Sequence, residues 1–143
     1  MKKYNKIDIA ESQLETALDI YLNGGNLFSA LTLAGAAEEI FGIYLKINGV
    51  PNSLEELVAA TQKIYKIIQN GEHLPEKGIR DRANRARNNF KHLNSEEDLE
   101  IELDLEEETI DMLNRATTNY WRLKGDMTEK MVIFEKQKRH LTN

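Results

Sequence analysis

The chain has 143 residues, 41% hydrophobic and 30% charged, with a formal net charge of −5. This suits one globular domain (residues 1–143) with a real core, and argues against both a disordered segment and a general nucleic-acid coat. The absence of cysteine excludes disulfides, thiolate nucleophiles and thiolate zinc sites.

The start, Met1-Lys2-Lys3-Tyr4-Asn5-Lys6, is basic, but no apolar signal core follows it. No run reaches the ~18 uninterrupted apolar residues that read as a bilayer span, so the expectation is a cytoplasmic chain without a membrane partner. Only two prolines and eight glycines punctuate the sequence, and most apolar spacing is helical. A first helix is predicted over about Ile7–Leu22, with Leu14, Leu18, Tyr21 and Leu22 on one face and Gly24-Gly25 as its stop. A second should run from near Asn26 to about Ile47. Its stripe Leu27, Leu31, Ala34, Glu38, Phe41 and Leu45 and a second stripe, Leu33, Ala37, Ile40, Tyr44 and Ile47, make it apolar over a wide arc, as a central helix requires. Glu38 sits among these apolar neighbours. It either snorkels and pairs locally or pairs with an arginine of the fourth helix, since a buried carboxylate needs donors.

A third helix opens at Ser53, with Glu56 at capping-box spacing, and carries Leu57, Ile64, Ile67 and Ile68 inward, leaving Lys63, Tyr65 and Lys66 wetter. A fourth begins near Pro75 and reaches Phe90 to Leu93 on the stripe Ile79, Ala83, Ala86, Phe90 and Leu93. Leu99, Ile101, Leu103 and Leu105 then alternate with acids, which predicts an extended segment or short edge strand. Asp104 with Glu107 starts a fifth helix carrying Met112, Leu113, Ala116, Tyr120 and Leu123. Asp126 with Glu129 starts a last one with Met131, Phe134 and Leu141. The predicted architecture is an all-α bundle of about five to six helices with a short extended acidic segment.

Charge is unevenly placed. Residues 77–92 hold six cations (Lys77, Arg80, Arg82, Arg85, Arg87, Lys91) against Asp81, whereas residues 95–108 hold nine acids and no Lys or Arg. This is either an anion site beside a shield or two segments that neutralise each other. No Gly-rich phosphate loop, cofactor motif or histidine pair with metal spacing is present, so neither a cofactor nor a metal is expected. The conspicuous octapeptide is Arg85-Ala86-Arg87-Asn88-Asn89-Phe90-Lys91-His92. Histidine titrates near neutral pH, and with a fixed cation beside it can move protons next to phosphate. On a straight helix, however, Arg87 and His92 lie ~140° and ~7.5 Å apart, while Arg85 shares the face of His92 at ~10.5 Å. Spacing alone therefore also fits a solvated basic flank. A working pair needs a helix end near Lys91 or a symmetric partner.

Arg87-Asn88-Asn89-Phe90-Lys91-His92 resembles the Arg-x(4–6)-His motif of HEPN domains, including the polar residue after the arginine. Leu31-Thr32-Leu33-Ala34-Gly35-Ala36-Ala37-Glu38-Glu39-Ile40 is similar to the small-residue, acid-tipped helix of a prokaryotic HEPN branch, and Asn114-Arg115-Ala116-x-x-Asn119-Tyr120 shares that branch's character. The resemblance spans roughly Asp19 to Leu123. It implies a helical bundle that dimerises, and a metal-independent endoribonuclease of the kind found among toxins and antiviral effectors. Arg87 and His92 would be the catalytic pair, with Asn88 and Glu38 supporting and Arg80, Arg82, Arg85 and Lys91 meeting RNA. It equally implies, as an alternative, a non-catalytic module that binds a nucleotide, an antitoxin or a nucleotidyltransferase partner. Some toxin members continue His-x-Tyr; here Leu93-Asn94 follows His92.

Overall fold

A computed structural model describes residues 1–141, apart from the side chain of Leu141, so the inward placement expected of that residue lies outside the described residues. Among them are helices α1 (Lys6–Leu22), α2 (Leu27–Ile47), α3 (Ser53–Ile68), α4 (Glu76–Ala83), α5 (Arg85–Asn89), α6 (Leu105–Lys124) and α7 (Glu129–Leu141), with one 3-10 turn at Glu96–Asp98. The protein is all-α, as expected.

Short polar residues start the helices by accepting the otherwise unpaired first-turn N–H groups. Asn5, Asn26, Asn52 and Asp104 each accept such a bond. The left-handed Gly24, φ 67°, ends α1 where the glycine pair predicted a stop. The cap of α3 is Asn52 paired with Glu55, one residue earlier than expected. Ser53 is drawn off to α6 instead, donating its hydroxyl to the Arg115 carbonyl. At α7 the side chain of Thr128, rather than Asp126, accepts from the first turn.

The central layer is α2, packed most extensively against α6 and α1. Ala30, Ala34, Gly35, Ala37 and Gly42 are buried along it and let neighbouring backbones approach closely. The core is filled by Leu14 and Leu18 of α1, Leu31 and Phe41 of α2, Met112 and Leu113 of α6, and Met131 and Phe134 of α7. Each such side chain contributes about 1.5–3 kcal/mol on burial. Among the described helices, α2 is the one long and apolar enough to cross a bilayer by length and composition, yet its stripe Leu31, Ala34, Phe41 and Leu45 is taken up by this core together with Glu38.

Three expectations change. The fourth helix is two: it breaks at Asn84, and α5 stops at Asn89, before Lys91 and His92. The acidic stretch forms no strand among the described residues. Leu103 tucks partly against the core, while Leu99 and Ile101 stay outside. The third change is the face of α3, which buries Val58 and Gln62 and leaves Leu57, Ile64, Ile67 and Ile68 exposed. Gln62 wins the inside because it bonds both backbone groups of Leu74, accepting from its N–H and donating to its carbonyl, and so holds the α3–α4 connection.

On α6, Tyr120 meets Phe41 edge-on at 5.7 Å and donates its hydroxyl to Glu11 of α1 at 3.1 Å. Burial first, then the Glu11 hydrogen bond and nearby carboxylates, push its phenol up to about 12. The folded chain thus keeps a proton that the unfolded chain releases near the ordinary tyrosine value of about 10. Stability should therefore fall as pH rises from about 10 toward 12. Denaturant midpoints compared between the native chain and Tyr120→Phe should show a shallower fall in the variant.

Candidate functional site

One buried carboxylate gathers the candidate site. Glu38 is 3% exposed on the inner face of α2. Its Oε1 accepts from Arg115 Nη2 of α6 at 2.8 Å, and its Oε2 accepts from Arg87 Nη1 of α5 at 3.3 Å. Arg87 also approaches Glu39 at 3.7 Å, nearer the surface. Of the two open readings of Glu38, pairing with an arginine of the predicted fourth helix is the one observed. Its tighter partner is Arg115, which sequence reasoning assigned no role.

Arg115 does more than neutralise Glu38. Its Nη1 donates to the Ala83 carbonyl at 2.8 Å, and Nη2 also donates to Asn84 Oδ1 at 2.9 Å. Those groups lie at the α4–α5 break, so the guanidinium occupies a carbonyl that a continuous helix would have kept for itself. One turn later Asn119 accepts from Ser53 N–H at 2.8 Å and donates to the Glu38 carbonyl at 3.3 Å. A polar seam thus ties α2, α6, the start of α3 and the α4–α5 joint. The available signal was the i, i+4 pair Arg115 and Asn119 within the otherwise apolar stripe of α6.

Arg87 reaches Glu38 by lying across Gly35. A Cβ at Gly35 would stand 2.7 Å from both Cγ and Cδ of Arg87, so only glycine leaves room for the arginine stem. Arg87 Nε donates to Asn88 Oδ1 at 3.4 Å, while Nη2 has no hydrogen bond among the described residues.

His92 lies beyond the end of α5. Phe90 and Lys91 form the turn, and the exposed imidazole joins Asn88, Asn89 and Asn94 around an open concavity of about 370 Å³. The straight-helix separation therefore no longer governs the pair. No hydrogen bond joins Arg87 to His92 among the described residues, and Asn88 is the residue that touches one and shares a concavity with the other.

The other basic candidates do not form one surface. Arg80 pairs with Glu76 at 3.7 Å, Lys91 is exposed on the turn, and Arg82 lines a separate groove against α3 and α6. Arg85 is exposed, and with Arg82 it partly offsets the unfavourable setting of Glu108. Desolvation, then Asp111 and Glu107, push that carboxyl up. The acidic and basic segments therefore face each other at Glu108. Among the described residues no group of three His, Asp or Glu side chains is placed to hold a metal ion.

Comparisons with protein-family models, curated proteins and solved structures find no match to this chain.

Replacing Glu38 by Gln leaves two guanidiniums without their shared anion. Chemical denaturation should register a loss of about 3–5 kcal/mol, as for breaking a buried pair from one side. Gly35→Ala should cost about 1–3 kcal/mol through crowding of Arg87. In an Arg87→Ala background the same change should turn neutral or stabilising by up to ~1 kcal/mol, the helix propensity gain alone. Equal cost in both backgrounds would show that Arg87 does not lie on Gly35.

Proposed function

We propose that this protein is a metal-independent endoribonuclease of the HEPN type, working as a cytoplasmic homodimer in a toxin or antiviral-defence role. The observation that carries the reading is the arrangement around Asn88. Arg87 is pinned through Nη1 and Nε, its Nη2 remains available, and the residue that pins Nε lines the concavity holding His92. Fixing the cation in advance suits stabilisation of charge that develops late.

In this reading His92 removes the proton from the RNA 2′-hydroxyl, whose oxygen attacks the adjacent phosphorus. Arg87 stabilises the phosphorane oxygens. The P–O5′ bond then breaks and the leaving oxygen takes up a proton, from His92 or its symmetry mate. The products are a 2′,3′-cyclic phosphate and a 5′-hydroxyl. A two-fold partner would place two Arg87–His92 sets in one groove, supplying a second histidine and more positive potential. Glu38 sets the position of Arg87, and Lys91, on the same turn as His92, would meet the phosphate backbone, whereas Arg80 is paired with Glu76 and Arg82 faces the separate groove.

A second reading, a non-catalytic module binding a nucleotide or a nucleotidyltransferase-like partner, draws on a different observation. The Arg87 side chain is only 11% exposed and has two carboxylates beside it, the pattern of a structural ion pair.

Incubation with single-stranded and structured RNA in EDTA separates the readings. Cleavage with cyclic-phosphate ends should appear, and His92→Ala and Arg87→Lys should each reduce it by at least ~10²-fold with the helical signal retained. Cleavage that survives both changes would overturn the assignment of Arg87 and His92, and no cleavage by the native chain would favour the binding module.

A further inference from the structure

A second groove among the described residues lies away from Arg87 and His92. Helices α3, α4 and α6 enclose a groove of about 890 Å³. Its apolar lining comes from Leu57, Ala60, Leu74, Ile79 and Met112. Leu57 and Ala60 are the first members of a longer stripe. At ~100° per residue, Leu57, Ala60, Ile64, Ile67 and Ile68 fall within about 100° of the circumference of α3, over ~16 Å of its length. Ile64, Ile67 and Ile68 are 58%, 81% and 66% exposed, so the stripe continues the groove without a cover. Isolated apolar residues on a surface need no explanation, but a contiguous row beside a groove marks an interaction site.

Charge identifies the occupant. Glu107, Glu108 and Asp111 line the groove against Arg82, while Glu56 there is paired with Arg122 and Arg115 is committed to Glu38. The wall is thus net negative even though it adjoins the basic α4–α5 segment. Partial burial, ahead of any neighbouring charge, pushes the Glu108 and Asp111 carboxyls up, against the opposing pull of Arg85 and Arg82 on the first and of Arg115 on the second. From the apolar row and the acidic wall together we propose that this groove docks a basic amphipathic helix of a partner protein. About three turns of that helix would span the stripe, with aliphatic side chains at i, i+3/i+4 and i+7 over α3 and lysines or arginines facing Glu107, Glu108 and Asp111. The groove shares Arg115 with the buried seam, so a helix seated there also touches the residue that fixes the α4–α5 joint. The inference does not depend on ribonuclease activity.

The test uses the full chain and a synthetic 14-residue helix-forming peptide with leucines at that spacing and lysines elsewhere, beside an otherwise identical peptide with glutamates for lysines. Calorimetry should give micromolar binding of the basic peptide and at least ~10-fold weaker binding of the acidic one, a difference of ~1.4 kcal/mol. Ile64→Ser/Ile67→Ser and Glu107→Lys/Asp111→Lys change exposed side chains, so folding should persist, and each should weaken the basic peptide by ~10-fold or more. Equal affinity for the two peptides, unchanged binding by either variant, or no binding by the native chain would overturn the proposal. So would a native dimer that the isoleucine variant converts to monomer, because the stripe would then be covered by a second copy.

Discussion

The structure depends on one carboxylate shared by two guanidiniums in the middle of a helical bundle. Removing Glu38 and its partners from water is costly, and such pairs are often no more stabilising than apolar side chains of similar volume. Their contribution here is positional. Arg115 is the anchor: it is buried, at 2.8 Å, and its two terminal nitrogens also donate to Ala83 and Asn84, while its buried Nε has no partner among the described residues. Arg87 is the looser partner, at 3.3 Å and shared with Glu39 toward solvent. The geometry therefore ties Arg115 to the α4–α5 joint and leaves Arg87 the longer, shared contact.

Much of the local structure follows. Arg115 donates to the Ala83 carbonyl where the helix is interrupted at Asn84 between α4 and α5. The short α5 that results presents Arg87 inward and ends before His92, which is released onto an exposed turn. At the joint, α4, α3 and α6 also leave a groove with an acidic wall and an uncovered apolar row. The basic block of residues 77–92 is consequently divided: Arg87 is turned into the core, Arg82 toward the groove, and Lys91 onto the turn with His92.

The sequence made the helices and the central position of α2 legible, because 3.6-residue periodicity and small residues follow directly from burial in a bundle. Glu38 was visible as an anomaly in an apolar stripe, and its need for a cation was a sound inference from desolvation. What periodicity could not supply was the partner on α6, 77 positions along the chain. It also could not foresee that Gln62 would displace isoleucines from the inner face of α3. Both outcomes turn on specific hydrogen bonds to backbone groups, at Ala83 and at Leu74, which carry no side-chain pattern. The alternation at Leu99 to Leu105 misled for a related reason: a strand needs a partner, and none exists among the described residues.

The most direct test of this organisation is a double-mutant cycle with Arg87→Met, Arg115→Met and the pair, followed by equilibrium denaturation. Two cations sharing Glu38 should be strongly coupled, with a non-additivity of about 0.5–3 kcal/mol. Additivity to within about 0.3–0.5 kcal/mol would mean that the two arginines act independently, and that Glu38 is not the centre on which the joint and the candidate site depend.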